Sequence, residues 1–431
     1  MSIAIFLTTV LLMILSLIFF PKIKVYKYEL NSHWIIVLIG SIIALLIGKM
    51  NYQNLISSIF SQNEMNPVKL ITLFISMTML SIYLNEIGVF EKLAFYLLSK
   101  VKTNQFIIFT VFSIMVAVLT IFVSNDVIIL TLTPLSIYFA KNAKINPLPY
   151  VFSVLVFANT FSMILMIGNP TNIYLSLNQN ITFLNYFKVM IIPSIFIGMV
   201  SFFMLSLVFR KDLKKELTHT VNQTKNISKP ELIIGLSHML FCLILLIFSN
   251  LIELPMWLIT FITALSLLII STIYYTKTKK DKTPLLHTIK KAPWSFLPLI
   301  LGMYVLVEAL KQQNIHLHLL EILNQYPTIY SFGITSFISS NLMNNLPMSM
   351  FYALIIENLE QGLILKATYS TIIGANLGVL LTPMGALAGL MWFDLVKKEN
   401  IKINIKIYVK KLFILAILSL FIGLIILDMI L

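Results

Sequence analysis

Apolar runs of membrane-crossing length follow one another along this sequence with little polar chain between them, and that excludes most folds at once. They lie near 3–20, 34–48, 68–88, 147–173 and 188–209, and again near 232–250, 254–274, 295–310, 367–393 and 408–431. Roughly 17 to 25 such residues cross a bilayer as a helix, and inside it only helices or closed barrels pair every backbone group. The expected class is an all-α polytopic membrane protein of about ten crossings. With 58% of 431 residues hydrophobic and 11% charged, no room is left for a large soluble catalytic domain, so an enzyme is not expected. The first run has no charged residues before it and no small-residue cleavage site after it, and reads as a retained span. A single cysteine, Cys242, allows neither an intrachain disulfide nor a multi-thiolate metal site, and no cofactor is expected.

Two further apolar runs are interrupted. The run 105–140 is broken by Ser124-Asn125-Asp126 with no loop around the break, and its second part, 127–140, spans only about 21 Å as a helix. A re-entrant hairpin fits it better than two spans. The run 328–357, broken at Ser340-Asn341, reads the same way. The landmarks of the two halves share one spacing: Ser124-Asn125 and Ser340-Asn341 lie 216 positions apart, Ala158-Asn159 and Ala375-Asn376 lie 217 apart, and so do Ile167-Gly168 and Met384-Gly385. A constant offset near half the chain length marks an internal duplication. The expected organisation is a first repeat 1–209 with its hairpin at 105–140, a polar cytoplasmic linker 210–231, and a second repeat 232–431 with its hairpin at 328–357.

Five crossings per repeat put the start of the second repeat on the side opposite to the first, so the repeats are expected to be inverted. The net charge of +14 then has a use in orientation rather than in nucleic-acid binding. With both termini outside, the segments 21–33, 89–105, 141–146, 210–231, 275–294 and 396–411 are cytoplasmic and hold 26 of the 31 basic residues. Trp34, Trp257, Trp294 and Trp392 stand near span ends and read as interfacial anchors. Glu86 and Glu308 also lie near span ends, and His238 reads as an interhelical hydrogen-bonding group.

The candidate chemistry collects at four backbone interruptions. Ser124, Asn125 and Asp126 form the first. Asn169, Thr171 and Asn172 surround Gly168 and Pro170 in the second. Ser340, Asn341, Asn344 and Asn345 form the third, and Gly374 to Gly385, with Asn376 and Thr382, the fourth. Gly and Pro break helices, and Ser, Thr and Asn cap the half-helix that follows. Broken backbone is tolerated at membrane depth only where protein buries it or water reaches it, so these segments, with Asn159, are expected to face one cavity and to bind substrate. Asp126 is the only carboxylate at any of them, and an acid inside an apolar run is costly unless it lies on an ion or proton path. The coupling ion would be H+ or Na+. No lysine or arginine falls at an interruption, which favours a neutral polyol-like solute or a small cation over a clamped carboxylate.

These residues resemble the arsenite/antimonite efflux permeases (ArsB-type) of the ion transporter superfamily, which also holds sodium/proton antiporters and sodium-coupled dicarboxylate carriers. The resemblance runs over nearly the whole chain: Asn85-Glu86 with Gly88-Val89-Phe90-Glu91, Asn125-Asp126 with Leu132-Thr133-Pro134, Ala292-Pro293-Trp294 with Leu301-Gly302-Met303-Tyr304, and Ser340 with Met343-Asn344-Asn345 and Pro347. Its most specific stretch is Gly374, Asn376-Leu377-Gly378, Thr382-Pro383-Met384-Gly385 and Trp392. The sequence departs from the pattern at Val379 and at Leu165-Met166. Dicarboxylate carriers usually carry Ser-Asn-Thr at both hairpin tips, whereas the tips here read Ser-Asn-Asp and Ser-Asn-Leu. The resemblance implies an inverted-repeat ion transporter fold in the plasma membrane, and proton-linked efflux of arsenite or antimonite by alternating access. A sodium/proton antiporter or a sodium-coupled di- or tricarboxylate carrier is the alternative. The expected partners are a small inorganic or small-molecule substrate and the lipid bilayer. A homodimer, and a cytoplasmic ATPase subunit docked on the basic linker, both remain open.

Overall fold

A computed structural model describes residues 2–20, 22–25, 28–47, 53, 55–56, 66–99, 104–214 and 227–431. The protein is an all-α polytopic membrane protein. Eight helical stretches among the described residues are long and apolar enough to cross a membrane, and four shorter apolar helices accompany them. Most of the linker, 215–226, lies outside the described residues.

The first half comprises α1 (Ser2–Phe19), α2 (Ser32–Ile47), α3 (Pro67–Glu86), α4 (Val89–Ser99), the pair α5 (Gln105–Phe122) and α6 (Asn125–Asn142), the broken pair α7 (Leu148–Phe161) and α8 (Pro170–Asn178), and α9 (Phe183–Val208). The second half repeats this order with α10 (Lys229–Ile247), α11 (Met256–Thr278), α12 (Thr283–Lys291), α13 (Phe296–Lys311) and α14 (Ile315–Leu323). The pair α15 (Thr328–Met343) and α16 (Asn345–Ile356), the broken pair α17 (Gln361–Leu377) and α18 (Leu387–Lys398), and α19 (Ile405–Ile430) complete it. Local chemistry sets the boundaries. Asn66 caps α3 by accepting from the Val68 and Lys69 amides, ahead of Pro67 at the first helical position. Asn104 does the same for Phe106 and Ile107, and Asn404 for Ile407. Pro230 starts α10 from Lys229, inside the stretch read as linker.

The helices pack as two bodies. A peripheral body joins α1 to α2, α2 to α13, and α3 to α10, α11 and α12, while a central body joins α5 to α7, α6 to α7 and α18, α9 to α19, and α15 to α16 and α17. Matching helices of the two halves meet in the central body, where Ser201 and Ser419, 218 positions apart, bring their hydroxyls within 3.1 Å. The bodies touch where α3 meets α6 and α8, and where α13 and α14 meet α16.

Three expectations need correction. Residues 22–25 and 28–31 pair as an antiparallel ladder, Lys22 with Asn31 and Val25 with Tyr28, where the all-α reading expected no strand; its alternation of lysine with Ile23 and Val25 is the two-residue period of a strand. Helix α6 runs for 18 residues, about 27 Å, so its length does not distinguish a re-entrant segment from a span. The hairpin character comes from its contacts instead. Tyr138, near the end of α6, meets Phe95 of α4 edge-on at 6.3 Å, beside the entry to α5, and the tip at Ser124 and Asn125 is buried. Trp392 is not an interfacial anchor. It is fully buried, donates from Nε1 to the Val151 carbonyl at 2.8 Å and packs against Phe152 and Tyr408.

Candidate functional site

Each break arises from the residues expected to make it, with one displacement. In the first, Val123 and Ser124 are extended and α6 starts at Asn125. In the second, Asn169 accepts from the Thr171 amide and opens α8 at Pro170. The fourth has Thr382 and Ala386 in extended conformations on either side of Pro383–Gly385. Gly168 and Gly385 both sit where backbone approaches backbone. A side chain at Gly168 would overlap the Ser162 carbonyl, and one at Gly385 would meet the Gly378–Val379 peptide. The third break falls at Asn344, in the left-handed region at φ 69°, and not at Ser340-Asn341. Both of those residues lie in the last turn of α15, so Asn341 does not start a half-helix. Neither Gly nor Pro stands at Ser340-Asn341 to stop the helix, whereas Asn tolerates the left-handed conformation.

The four half-helices that follow these breaks point their N-termini at one small cavity. It is lined by the first two residues of each: Asn125-Asp126 of α6, Pro170-Thr171 of α8, Asn345-Leu346 of α16 and Leu387-Ala388 of α18. Asn169, Phe296 and Ala386 complete the wall. Its volume, about 10 Å³, leaves room for one water. First-turn amides have no intrahelical partner and helix N-termini carry partial positive charge, so the backbone supplies donors here. The side chains supply both kinds of group. The Asn125 Oδ1 and the Thr171 hydroxyl are buried without a partner, and the Asp126 carboxylate makes no hydrogen bond or ion pair with any described residue. Helix α18 was not legible as part of the wall, because Ala386 and Leu387 offer no capping side chain.

Behind the cavity a closed amide network joins the two halves. Asn376 is fully buried. Its Nδ2 donates to Asn172 Oδ1 at 2.7 Å and to the Ile372 carbonyl at 2.8 Å, and its Oδ1 accepts from Asn169 Nδ2 at 2.9 Å. Asn172 donates onward to the Ser162 carbonyl. Asn125 donates to Asn159 Oδ1 at 3.2 Å, tying the first tip to α7. In the second half, Asn341 donates to the Gly378 carbonyl and accepts from the Thr382 hydroxyl at 2.7 Å, and Asn344 donates to the Met384 carbonyl. Of the residues singled out from sequence, Asn125, Asp126, Asn169, Thr171 and Asn345 therefore line the cavity, and Asn159, Asn172 and Asn376 brace it. Asn341, Asn344 and Thr382 pin the second hairpin to its broken helix. Ser340 donates only to the Phe337 carbonyl, and the Ser124 hydroxyl has no partner.

A second, far larger space of about 1450 Å³ reaches the same point from one end of the molecule. Phe74, Thr78, Ile82 and Asn85 of α3 form one wall, at helical spacing, and Asp126, Val127, Leu130 and Thr131 of α6 face them. Lys22, Lys291, Lys397, Lys398 and Lys406 stand around its mouth. Asp126, Phe296 and Leu387 line both spaces, so the carboxylate sits at the junction between the large vestibule and the small cavity. Ion pairs hold the two ends of the molecule. At the vestibule end Glu86 accepts from Lys291 at 2.7 Å and pairs with His287 at 2.9 Å, and Lys141 pairs with Glu399. At the other end Lys311 pairs with Glu357 at 3.2 Å, and Asn178 donates to the same carboxylate.

The model of the citrate transporter family, CitMHS, matches residues 30–371. The chain belongs to this family. Among curated relatives, it is similar to the arsenical pump membrane protein of Escherichia coli, 26% identical over 364 residues that cover 81% of this chain and 84% of that one. It is also similar to the putative arsenical pump membrane protein of Bacillus subtilis strain 168, 25% identical over 383 residues with the same coverage. These relatives place the chain among ArsB-type transporters. Its fold is similar to that of the Alcanivorax borkumensis YdaH transporter, at a TM-score of 0.57 and 10% identity over 99% of this chain and 97% of that one. It is also similar to Neisseria gonorrhoeae MtrF, at 0.52 and 12% over 99% and 94%. The family member described here is a multi-pass secondary transporter.

Proposed function

We propose that this transporter exports arsenite or antimonite across the plasma membrane in exchange for protons, with Asp126 as the coupling acid. The observation that carries the reading is the position of Asp126: unpaired and the only ionisable side chain on the small cavity among the described residues, and shared with the vestibule. A carboxylate so placed can trade a proton with water on one side and meet the solute on the other. Arsenite near neutral pH is an uncharged trihydroxide. Its hydroxyls can donate to Asn125 Oδ1, Thr171 and Asp126 and accept from the first-turn amides, so no thiol is required. That the relatives named above are arsenical pumps supports the same solute.

The ring of lysines at the vestibule mouth lies in segments assigned to the cytoplasm by the count of basic residues, so we place the vestibule inside and both termini outside. The repeats are then inverted, and the conformation described is open to the cytoplasm. Carboxylate transport is the second reading. It is favoured by the convergence of four helix N-termini, which attract anions, and by the family's description. The free Asp126 carboxylate, and the lack of any described lysine, arginine or histidine on the small cavity, oppose it. Expression in a cell lacking its own arsenite exporter separates the two. The proposal expects restored growth in arsenite and antimonite, and no sodium-stimulated citrate or succinate uptake. Sodium-stimulated carboxylate uptake without arsenite tolerance would replace it.

A further inference from the structure

The small cavity holds about one water, so in the conformation described a solute of several heavy atoms stops on the vestibule side of Phe296. The walls there are unusual. His33, Thr78 and Thr131 all line the vestibule, and both ring nitrogens of His33 and the hydroxyls of Thr78 and Thr131 are buried without a hydrogen-bond partner. His33 is itself only 7% exposed. Buried polar groups are hydrogen-bonded in the great majority of cases, so three such residues around one space mark a place where a partner comes and goes.

Helical register places them along roughly 10 Å of the vestibule's depth. The N-terminal ends of α2 and α13 both line the vestibule, and Val37 packs on Gly302, so the two helices run side by side in the same direction. His33 is four residues from Val37 toward the mouth and Phe296 six from Gly302, which places them within about 3 Å of the same depth. Thr78 is one turn from Phe74, whose ring packs on that of Phe296 at 4.8 Å between centroids. Thr131 lies five residues beyond Asp126 on the facing helix, about 8 Å toward the mouth.

We propose that His33, Thr78, Thr131 and Asp126 form a second solute-binding site, an arrival site for an uncharged, hydroxylated solute between the two bodies of the transporter. Imidazole, hydroxyl and carboxylate together offer the donors and acceptors that such a solute needs. Two of the residues come from the peripheral body and two from the central one, so the site exists only while the vestibule is open. Relative motion of the bodies would divide it and leave the solute with Asp126. The identity of the solute rests on the export reading above.

The test is equilibrium binding of radiolabelled arsenite to the purified full chain in detergent. Wild type is expected to hold one per chain at saturation. His33→Leu, and separately the near-isosteric pair Thr78→Val with Thr131→Val, are expected to bind it about tenfold more weakly. In proteoliposomes His33→Leu should raise the KM for arsenite about tenfold with little change in kcat, and His33→Gln, which keeps a donor and an acceptor, should recover most of it. Variants are compared only as monodisperse protein, and the threonine pair keeps the test available if the histidine variant misfolds. Wild-type affinity for arsenite in both variants overturns the arrival site and leaves the export reading standing. No arsenite bound to wild type overturns both.

Discussion

Replacing Asn376 with alanine tests whether the amide network is what holds the broken helices together. Its carboxamide makes three hydrogen bonds of 2.9 Å or shorter, to Asn172, Asn169 and Ile372, in a fully buried position. The Ile372 carbonyl keeps its helical partner after the change. Asn169 Nδ2 and Asn172 Oδ1 are each left unpaired, at about 1–3 kcal/mol apiece, so Asn376→Ala should cost roughly 2–6 kcal/mol. The control is Asn345→Ala. That side chain lines the cavity and has no described partner, so its removal should cost less than about 1 kcal/mol. Thermal unfolding in detergent, followed by the loss of monodisperse protein at one heating rate, ranks the two variants even if unfolding is irreversible. Indistinguishable midpoints would refute the assignment of a bracing role to Asn376.

Three further outcomes follow from other parts of the molecule. Lys311–Glu357 is the only ion pair among the described residues that joins the two bodies, and it lies at the end opposite the vestibule. It is partly exposed and therefore worth at most about 1 kcal/mol. Glu357→Gln should accordingly raise the outward-open population by up to about fivefold, read as faster modification by an external impermeant thiol reagent of a cysteine at Tyr174, which lies close to Glu357; an unchanged rate would remove the pair from gating. Gly385→Ala should destabilise by about 1–3 kcal/mol, because the added methyl meets the Gly378–Val379 peptide at 2.6 Å, whereas Gly362→Ala, with open space around it, should be neutral or slightly stabilising; equal thermal midpoints would refute the close-approach argument. The native Cys242 is buried, so labelling of intact cells reports added cysteines: Gln325→Cys should react with an impermeant reagent and Lys402→Cys should not, and the reverse pattern would invert the proposed orientation.

What was legible in the sequence, and what was not, follows from how locally each feature is encoded. The spans could be read because an apolar run is its own signal, and the second and fourth breaks because Gly168, Pro170, Pro383 and Gly385 interrupt a helix wherever they stand. The third break, read over Ser340-Asn341 and Asn344-Asn345, lies at Asn344 alone because it depends on the positive φ of that residue, which an asparagine permits without requiring. Trp392 stands near a span end in sequence, but only tertiary packing could reveal that Phe152 and Tyr408 enclose it. The α18 wall was missed for a related reason: the groups facing the cavity at Ala386–Ala388 are backbone amides, which no side chain announces. Likewise, the candidate asparagines could be named singly from sequence, while the division between those that line the cavity and those that brace it depends on hydrogen bonds spanning more than 200 positions, such as Asn169 to Asn376.

The central claim is that Asp126 couples solute export to proton entry, and flux in proteoliposomes tests it most directly. The carboxylate makes no hydrogen bond with any described residue, and Asp126→Asn keeps its size and caps a helix as well as Asp, so the fold is expected to be retained. The comparison is arsenite movement driven by an imposed pH gradient, wild type against Asp126→Asn, normalised to folded protein. The account predicts gradient-driven flux in wild type and none in the variant, with arsenite exchange at equal pH retained. Gradient-driven flux of wild-type size in Asp126→Asn would contradict it.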